Sequence, residues 1–160
     1  MPELEDAILL ALEAHGGKCD RGCAPYILHP LRVMLRMKIR SEMMAAVLHD
    51  VVENSPVSVA DLRGAGYPPE VCDAVDGLTW RKKGGESYEA FIERLSGSPL
   101  AVKVKLADLE DNMDIRRIGE PSDKDWKRLQ RYHRAWSRLR REVSLSGTVA
   151  DREEKATRQT

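Results

Sequence analysis

The chain has 160 residues, 26 basic against 26 acidic side chains and 42% hydrophobic residues, which suits one globular domain of ordinary core size. A formal charge of zero gives the whole molecule no reason to seek nucleic acid or an anionic membrane surface. No apolar run approaches the roughly 20 residues that cross a bilayer, the acidic start MPELEDAILL lacks the basic stretch of a secretory signal, and three cysteines are too few for a disulfide scaffold, so a cytoplasmic protein with reduced thiols is expected.

Leu4, Ala7, Ile8, Ala11 and Leu12 recur at helical spacing, and Gly16 and Gly17 stop the pattern. KCDRGCAP is then a loop, followed by a second helix over about 26–37 with Pro30 in its first turn, where a missing N–H is harmless. Ser41 is expected to cap a third helix that runs unbroken through AAVLHDVVEN. SVADLRGAG reads as a short helix capped by Ser58, Pro68 and Pro69 open the next, and RKKGGES is an exposed loop. Ser87 starts a helix that points Phe91 and Leu95 inward. The run LAVKVKLADLEDNMD after Pro99 alternates like a strand at first, yet no partner strand is visible elsewhere, so helix is preferred. A last helix over about 122–145 should bury Trp126, Leu129, Tyr132 or His133, Trp136, Leu139 and Val143, and the polar segment 146–160 should be disordered. The expected architecture is therefore an all-α helical bundle, a domain over 1–145 with a tail.

The chemistry enters where apolar runs are interrupted. In AAVLHDVVEN, His49 and Glu53 are four apart and so are Asp50 and Asn54, giving two adjacent polar rows beside an apolar stripe. His49 and Asp50 diverge by about 100° on a helix but can both reach an ion between them. An isolated His-Asp pair is ordinarily just a helix surface. Here it has company: His29 stands at a helix start in PYILHPLRV, and Asp108 interrupts the apolar run of VKLADLEDN. Burying such groups is costly unless they are paired or bind a metal.

PYILHPLRV, AAVLHDVVEN and VKLADLEDNMD, in this order and with VDGLT between the last two, resemble the histidine-aspartate (HD) phosphohydrolase superfamily. Within it the chain is similar to the hydrolase domain of the RelA/SpoT-type alarmone enzymes and their small stand-alone relatives, over about 4–141. The resemblance implies a helical bundle with a metal site between helices, ligated by His29, His49, Asp50 and Asp108. Two imidazoles and two carboxylates suit Mn²⁺ or a similar first-row ion, and the family favours manganese. Glu53 is the candidate to handle the proton of an activated water, with Asn54 beside it where the family has a second acid. Arg21 replaces part of an arginine-lysine pair, with Asp20 before it, and Leu109 stands where the family has arginine. Asn112 either bonds the substrate or props Asp108. Lys105 either meets a phosphate or neutralises acids, and Tyr26 either packs or stacks a base.

Other features compete with plainer readings. His15, Cys19, Cys23 and Cys72 suggest zinc, but the cysteine gap is wider than the usual one and Cys72 has no positional support. The loop from Arg81 to Gly85 can fold over phosphates or simply be solvated. Arginines and lysines from Lys124 to Arg141 suggest nucleic acid or an acidic partner, or cover a solvated helix face. The function expected from the resemblance is removal of the 3′-pyrophosphate from guanosine tetra- or pentaphosphate. The alternatives are phosphohydrolysis of another nucleotide or phosphoester, and a non-catalytic nucleotide sensor. Alarmone synthesis is not expected from a chain of this length, the partner is a small nucleotide rather than a membrane or nucleic acid, and a homo-oligomer is left open.

Overall fold

The computed structural model describes the backbone of residues 1–157 and the side chains of residues 1–145. Among the described residues there are helices and no strands, only an isolated antiparallel bridge between Cys19 and Pro25. The all-α expectation holds. Helix α1 spans Leu4–His15 and opens on a reciprocal capping box, in which the Glu3 amide donates to Asp6 at 2.7 Å. Helix α2 (Leu28–Met34) is shorter than expected and keeps His29 and Pro30 in its first turn.

Helix α3 spans Arg40–Leu48 and starts without a side-chain cap. Ser41 lies inside its first turn, and it is the Glu42 carboxylate that reaches back to the Lys38 amide at 3.2 Å. Met44 to Leu48 are all buried, so α3 has no solvent face over this stretch and packs against α1, α2, α6 and α8 as the central helix. The helix does not run on through AAVLHDVVEN. It ends at Leu48, His49 is its C-cap, and a separate turn of helix, α4 (Val51–Asn54), begins after Asp50.

Short α5 (Val59–Gly64) carries the expected cap, with Ser58 and Asp61 bonding reciprocally. Helix α6 (Pro69–Leu78) starts on proline, and α7 (Tyr88–Leu95) is capped by Ser87 and buries Phe91 and Leu95. Helix α8 (Pro99–Asn112) settles the ambiguous run as helix: Pro99 sits in its first turn and the Ser98 hydroxyl accepts from the Ala101 amide. It buries Ala101, Val102, Val104, Ala107, Asp108 and Leu109, and each large apolar side chain so buried contributes about 1.5–3 kcal/mol.

Helix α9 (Asp123–Thr157) packs on α8. In its middle Ala135 and Leu139 are buried, and Tyr132 and Trp136 are partly so. Trp126 and Val143, expected inside, are 51% and 47% exposed, while Asp125 beside Trp126 is buried, so the covered face of α9 is turned away from these two. His133 is exposed and stacks on Trp136 instead of packing in the core. The side chains of 146–160, where a disordered tail was expected, lie outside the described residues. No helix among the described residues is long and apolar enough to cross a membrane.

Candidate metal centre and adjoining groove

His29 from the start of α2, His49 and Asp50 from the break between α3 and α4, and Asp108 from α8 meet at one point. His29 Nε2 lies 3.1 Å from Asp108 Oδ1 and 3.8 Å from Asp50 Oδ2, and His49 Nε2 lies 3.5 and 3.4 Å from the same two oxygens. His29, His49 and Asp50 offer ligand atoms all within 4.8 Å of one another, the group among the described residues able to hold a metal ion. The chain break explains how two adjacent residues do this. On an unbroken helix they would diverge by about 100°, whereas here Asp50, at φ −102° and ψ −5°, is the N-cap of α4 and its Oδ2 lies 3.4 Å from His49 Nε2.

Hydrogen bonding fixes which ring atoms face the centre. His49 Nδ1 is 2.7 Å from the Ala46 carbonyl, which only accepts, so Nδ1 carries the proton and neutral His49 has its lone pair on Nε2. That Nε2 is buried with no hydrogen-bond partner. His29 Nδ1 is 2.7 Å from Asp111 Oδ2, which leaves its Nε2 facing the same centre. Two imidazole nitrogens and two carboxylates thus converge with electron pairs inward, an arrangement that repels itself unless a cation lies between them. The donor set fits a divalent first-row metal.

With no cation between them, the carboxylates favour protonated imidazoles instead, so a metal ion would take the place of protons. Burial disfavours charged His29, yet its bonds to Asp108 and Asp111 raise it to about 9, and His49 is raised by Asp50 and Asp108 against the same desolvation. Burial likewise opposes ionisation of Asp108, but Lys105, His29 and His49 hold the carboxyl well below its ordinary value. Glu53 is exposed on α4, yet partial desolvation of its carboxyl and then the Asp50 charge raise it, and the carboxylate accepts from the Trp80 amide at 3.3 Å.

The remaining expected site residues divide. Lys105 Nζ is buried 2.7 Å from Asp108 Oδ2, in the position of a neutralising cation. Asn112 Nδ2 donates to Asp108 Oδ1 at 2.6 Å while lining the neighbouring cavity, so it props the acid and borders that cavity. The Tyr26 hydroxyl donates to Asp50 Oδ2, and its ring packs 5.0 Å from that of His15. Asn54 is exposed at the end of α4, tied to the fold by its carbonyl, which accepts from Lys18 Nζ at 2.5 Å. The zinc alternative does not assemble: His15 is buried against Tyr26, Cys19 and Cys23 are exposed, and Cys72 is buried against the Tyr67 carbonyl.

A cavity of about 420 Å³ opens beside His29 and Tyr26, between the loop before α2 and the start of α9. Its arginines are matched by acids: Arg21 meets Asp125 at 2.7 Å, Arg117 meets Asp20 at 2.9 Å, and Arg128 meets Asp125 at 3.3 Å. The close approach needs Gly22, where an added Cβ would lie 2.4 Å from the Arg117 carbonyl. Asp111 and Arg32 were not singled out from sequence. Their signal was present: Asp111 is one helical turn beyond Asp108, and Arg32 one turn beyond His29. Part of the basic character of α9 is absorbed by packing and pairing, since Arg131 lies over the Tyr88 ring at 4.8 Å and Arg138 pairs with Glu142 at 3.0 Å.

No protein-family model matches the chain. Curated relatives do. The bifunctional (p)ppGpp synthase/hydrolase SpoT of Escherichia coli K12 is 31% identical over 141 residues, covering 80% of this chain and 20% of that protein. The Drosophila melanogaster protein MESH1, a guanosine-3′,5′-bis(diphosphate) 3′-pyrophosphohydrolase, is 30% identical over 117 residues, covering 68% of this chain and 65% of its own. The chain thus spans about one fifth of the length of the bacterial relative and about two thirds of the insect one. The fold matches a solved metazoan ortholog of SpoT that hydrolyses ppGpp, with a TM-score of 0.72, 21% identity, and 95% and 96% of the two chains covered. Similar in sequence to the one group and in fold to the other, the chain belongs to the RelA/SpoT-type HD family of hydrolase domains.

Proposed function

We propose that this protein is a metal-dependent phosphohydrolase that removes the 3′-pyrophosphate from guanosine 3′,5′-bis(diphosphate), with its machinery in a domain over residues 1–145 and its place in the cytoplasm. The observation that carries the reading is the convergence of two imidazole nitrogens and two carboxylates, electron pairs inward, beside a cavity large enough for part of a nucleotide. The relatives named for this activity support the substrate.

In this reading His29, His49, Asp50 and Asp108 hold a divalent ion, Mn²⁺ by preference. Such an ion lowers the pKa of water and polarises phosphoryl oxygens. The chain's own residues do the rest. Glu53, its pKa raised by partial desolvation and by Asp50, takes a proton from the attacking water. Water oxygen bonds to the phosphorus attached to the ribose 3′-oxygen, that P–O bond breaks, and the 3′-oxygen leaves with a proton as a hydroxyl, releasing pyrophosphate. Asn112 and Lys105 keep Asp108 oriented and balanced, Tyr26 does the same for Asp50, and Arg21 meets the phosphates at the mouth.

A second reading, hydrolysis of a less highly charged nucleotide, is favoured by Asp20 and Asp125, which occupy the arginines of the cavity. One assay separates them. The Mn²⁺-loaded protein is incubated with a nucleotide panel that includes the guanosine 3′-pyrophosphates, alongside His49→Ala and Asn54→Asp. Pyrophosphate release from the guanosine compounds, abolished in His49→Ala, is the expected result, and turnover of another panel member alone replaces the substrate. Binding without turnover makes the protein a sensor. Asn54→Asp is expected to raise turnover by less than about tenfold, well under the contribution of a general base, since Asn54 sits exposed at the end of α4.

A further inference from the structure

The two imidazoles of the metal centre are oriented by different devices. His49 Nδ1 donates to the main-chain carbonyl of Ala46, a partner that no substitution at a single side chain removes. His29 Nδ1 relies on a side chain, the Asp111 carboxylate at 2.7 Å, which is 10% exposed. That carboxylate is itself gripped. Arg32 binds both its oxygens, Nε to Oδ1 at 2.7 Å and Nη2 to Oδ2 at 2.9 Å, and Arg117 Nη2 lies 3.3 Å from Oδ2 while donating to the Asp111 carbonyl at 2.7 Å.

We infer that Asp111, clamped by Arg32 and Arg117, is a positioning residue that fixes the His29 ring and its tautomer, so that Nε2 is presented to the metal. The chemistry leaves little freedom. A carboxylate between two guanidinium groups stays ionised and only accepts, so the proton of neutral His29 sits on Nδ1 and the lone pair on Nε2. The paired fork of Arg32 fixes the plane of the carboxylate, and the carboxylate fixes the plane of the ring. Arg32 and His29 share one face of α2, while Asp111 and Asp108 share one face of α8, so a single pair of helices supplies both a metal ligand on each side and the strut between them.

The inference rests on the metal reading of the proposed function, and the test keeps the two apart. Mn²⁺ affinity is measured by competition with a fluorescent chelator for wild type, Asp111→Leu, Asp111→Asn and Arg32→Met. Histidine ring nitrogens are followed by NMR with diamagnetic Zn²⁺ in place of Mn²⁺. Wild type should bind Mn²⁺ and show a slowly exchanging Nδ1 proton on His29. Asp111→Leu should weaken Mn²⁺ about 10–100-fold and lose that proton, and Asp111→Asn, which keeps an acceptor oxygen, should restore most of both. Arg32→Met leaves the carboxylate in place and should weaken Mn²⁺ by a smaller factor, which keeps the test decisive if Asp111→Leu fails to fold. Wild-type Mn²⁺ affinity with an unchanged His29 proton in Asp111→Leu overturns the inference alone, and where Asp111→Leu fails to fold, wild-type Mn²⁺ affinity in Arg32→Met does the same. A wild-type protein that binds neither metal overturns the metal reading as well.

Discussion

The metal centre and the groove beside it hold charge in opposite ways. At the centre, His29, His49, Asp50 and Asp108 are drawn together by their partners behind them, Asp111, the Ala46 carbonyl, Tyr26 and Lys105, and all present electron pairs to one point. In the groove, Arg21, Arg117 and Arg128 each already meet a carboxylate, and Arg21 is 57% exposed in its side chain. A buried charge without compensation is expensive, so the centre is built for a cation; an exposed ion pair contributes little and can open when an anion arrives. On the proposed reading, selection of the metal rests on this fixed centre, and selection of the substrate rests on exchange between ion pairs.

The largest expected effect comes from breaking the centre directly. His49→Ala should weaken Mn²⁺ and slow hydrolysis by at least about 100-fold, more than loss of an outer partner, as read by chelator competition and pyrophosphate release. Retained affinity would mean that the electron pairs do not converge on an ion.

Next is the balance behind Asp108. Lys105→Met leaves a carboxylate only 5% exposed without its buried cation, and should cost about 3 kcal/mol of stability in metal-free protein by denaturant unfolding. Mn²⁺ should recover part of that loss by binding the folded state. A change under about 1 kcal/mol would show that His29 and Asn112 suffice.

The groove should respond to pH and to salt. Bonds from Ser122 and Arg21 hold the Asp125 carboxyl at about 2, below its ordinary value of 3.8. A depressed carboxyl stabilises the fold fully above its unfolded pKa, and that contribution fades as pH falls from about 4 to about 2. Asp125→Asn should therefore lower the melting temperature at pH 6 and approach wild type at the acid end, and a difference constant with pH would contradict the assignment. Smallest is Arg21→Ala: within about 0.5 kcal/mol of wild-type stability, but with a higher KM and a flatter salt dependence for an anionic nucleotide. An unchanged KM would remove Arg21 from substrate binding.

Much of this was legible along the chain, because helices are announced locally. The caps at Ser58, Ser87 and Ser98, the prolines opening α6 and α8, and the inward Phe91 and Leu95 are short-range events, set by backbone hydrogen bonding within a turn. The three interrupted apolar runs pointed to the same residues that meet at the centre, since charge placed in grease needs a compensating partner.

What the chain could not announce is what depends on distant neighbours. The break at His49 and Asp50, which puts the two in caps of different helices, has no local signal in the apolar run around it. Trp126 and Val143 fit an apolar stripe but are half exposed, while Asp125 is buried, so periodicity alone did not decide which face of α9 is covered. The strut from Arg32 through Asp111 to His29 spans 82 positions of sequence between the ring and its carboxylate. Amino-acid order determined the helices and the ionisable groups that needed compensation; only the packing of α2, α3 and α8 decided which groups compensate one another, because electrostatic partnership depends on distance in space.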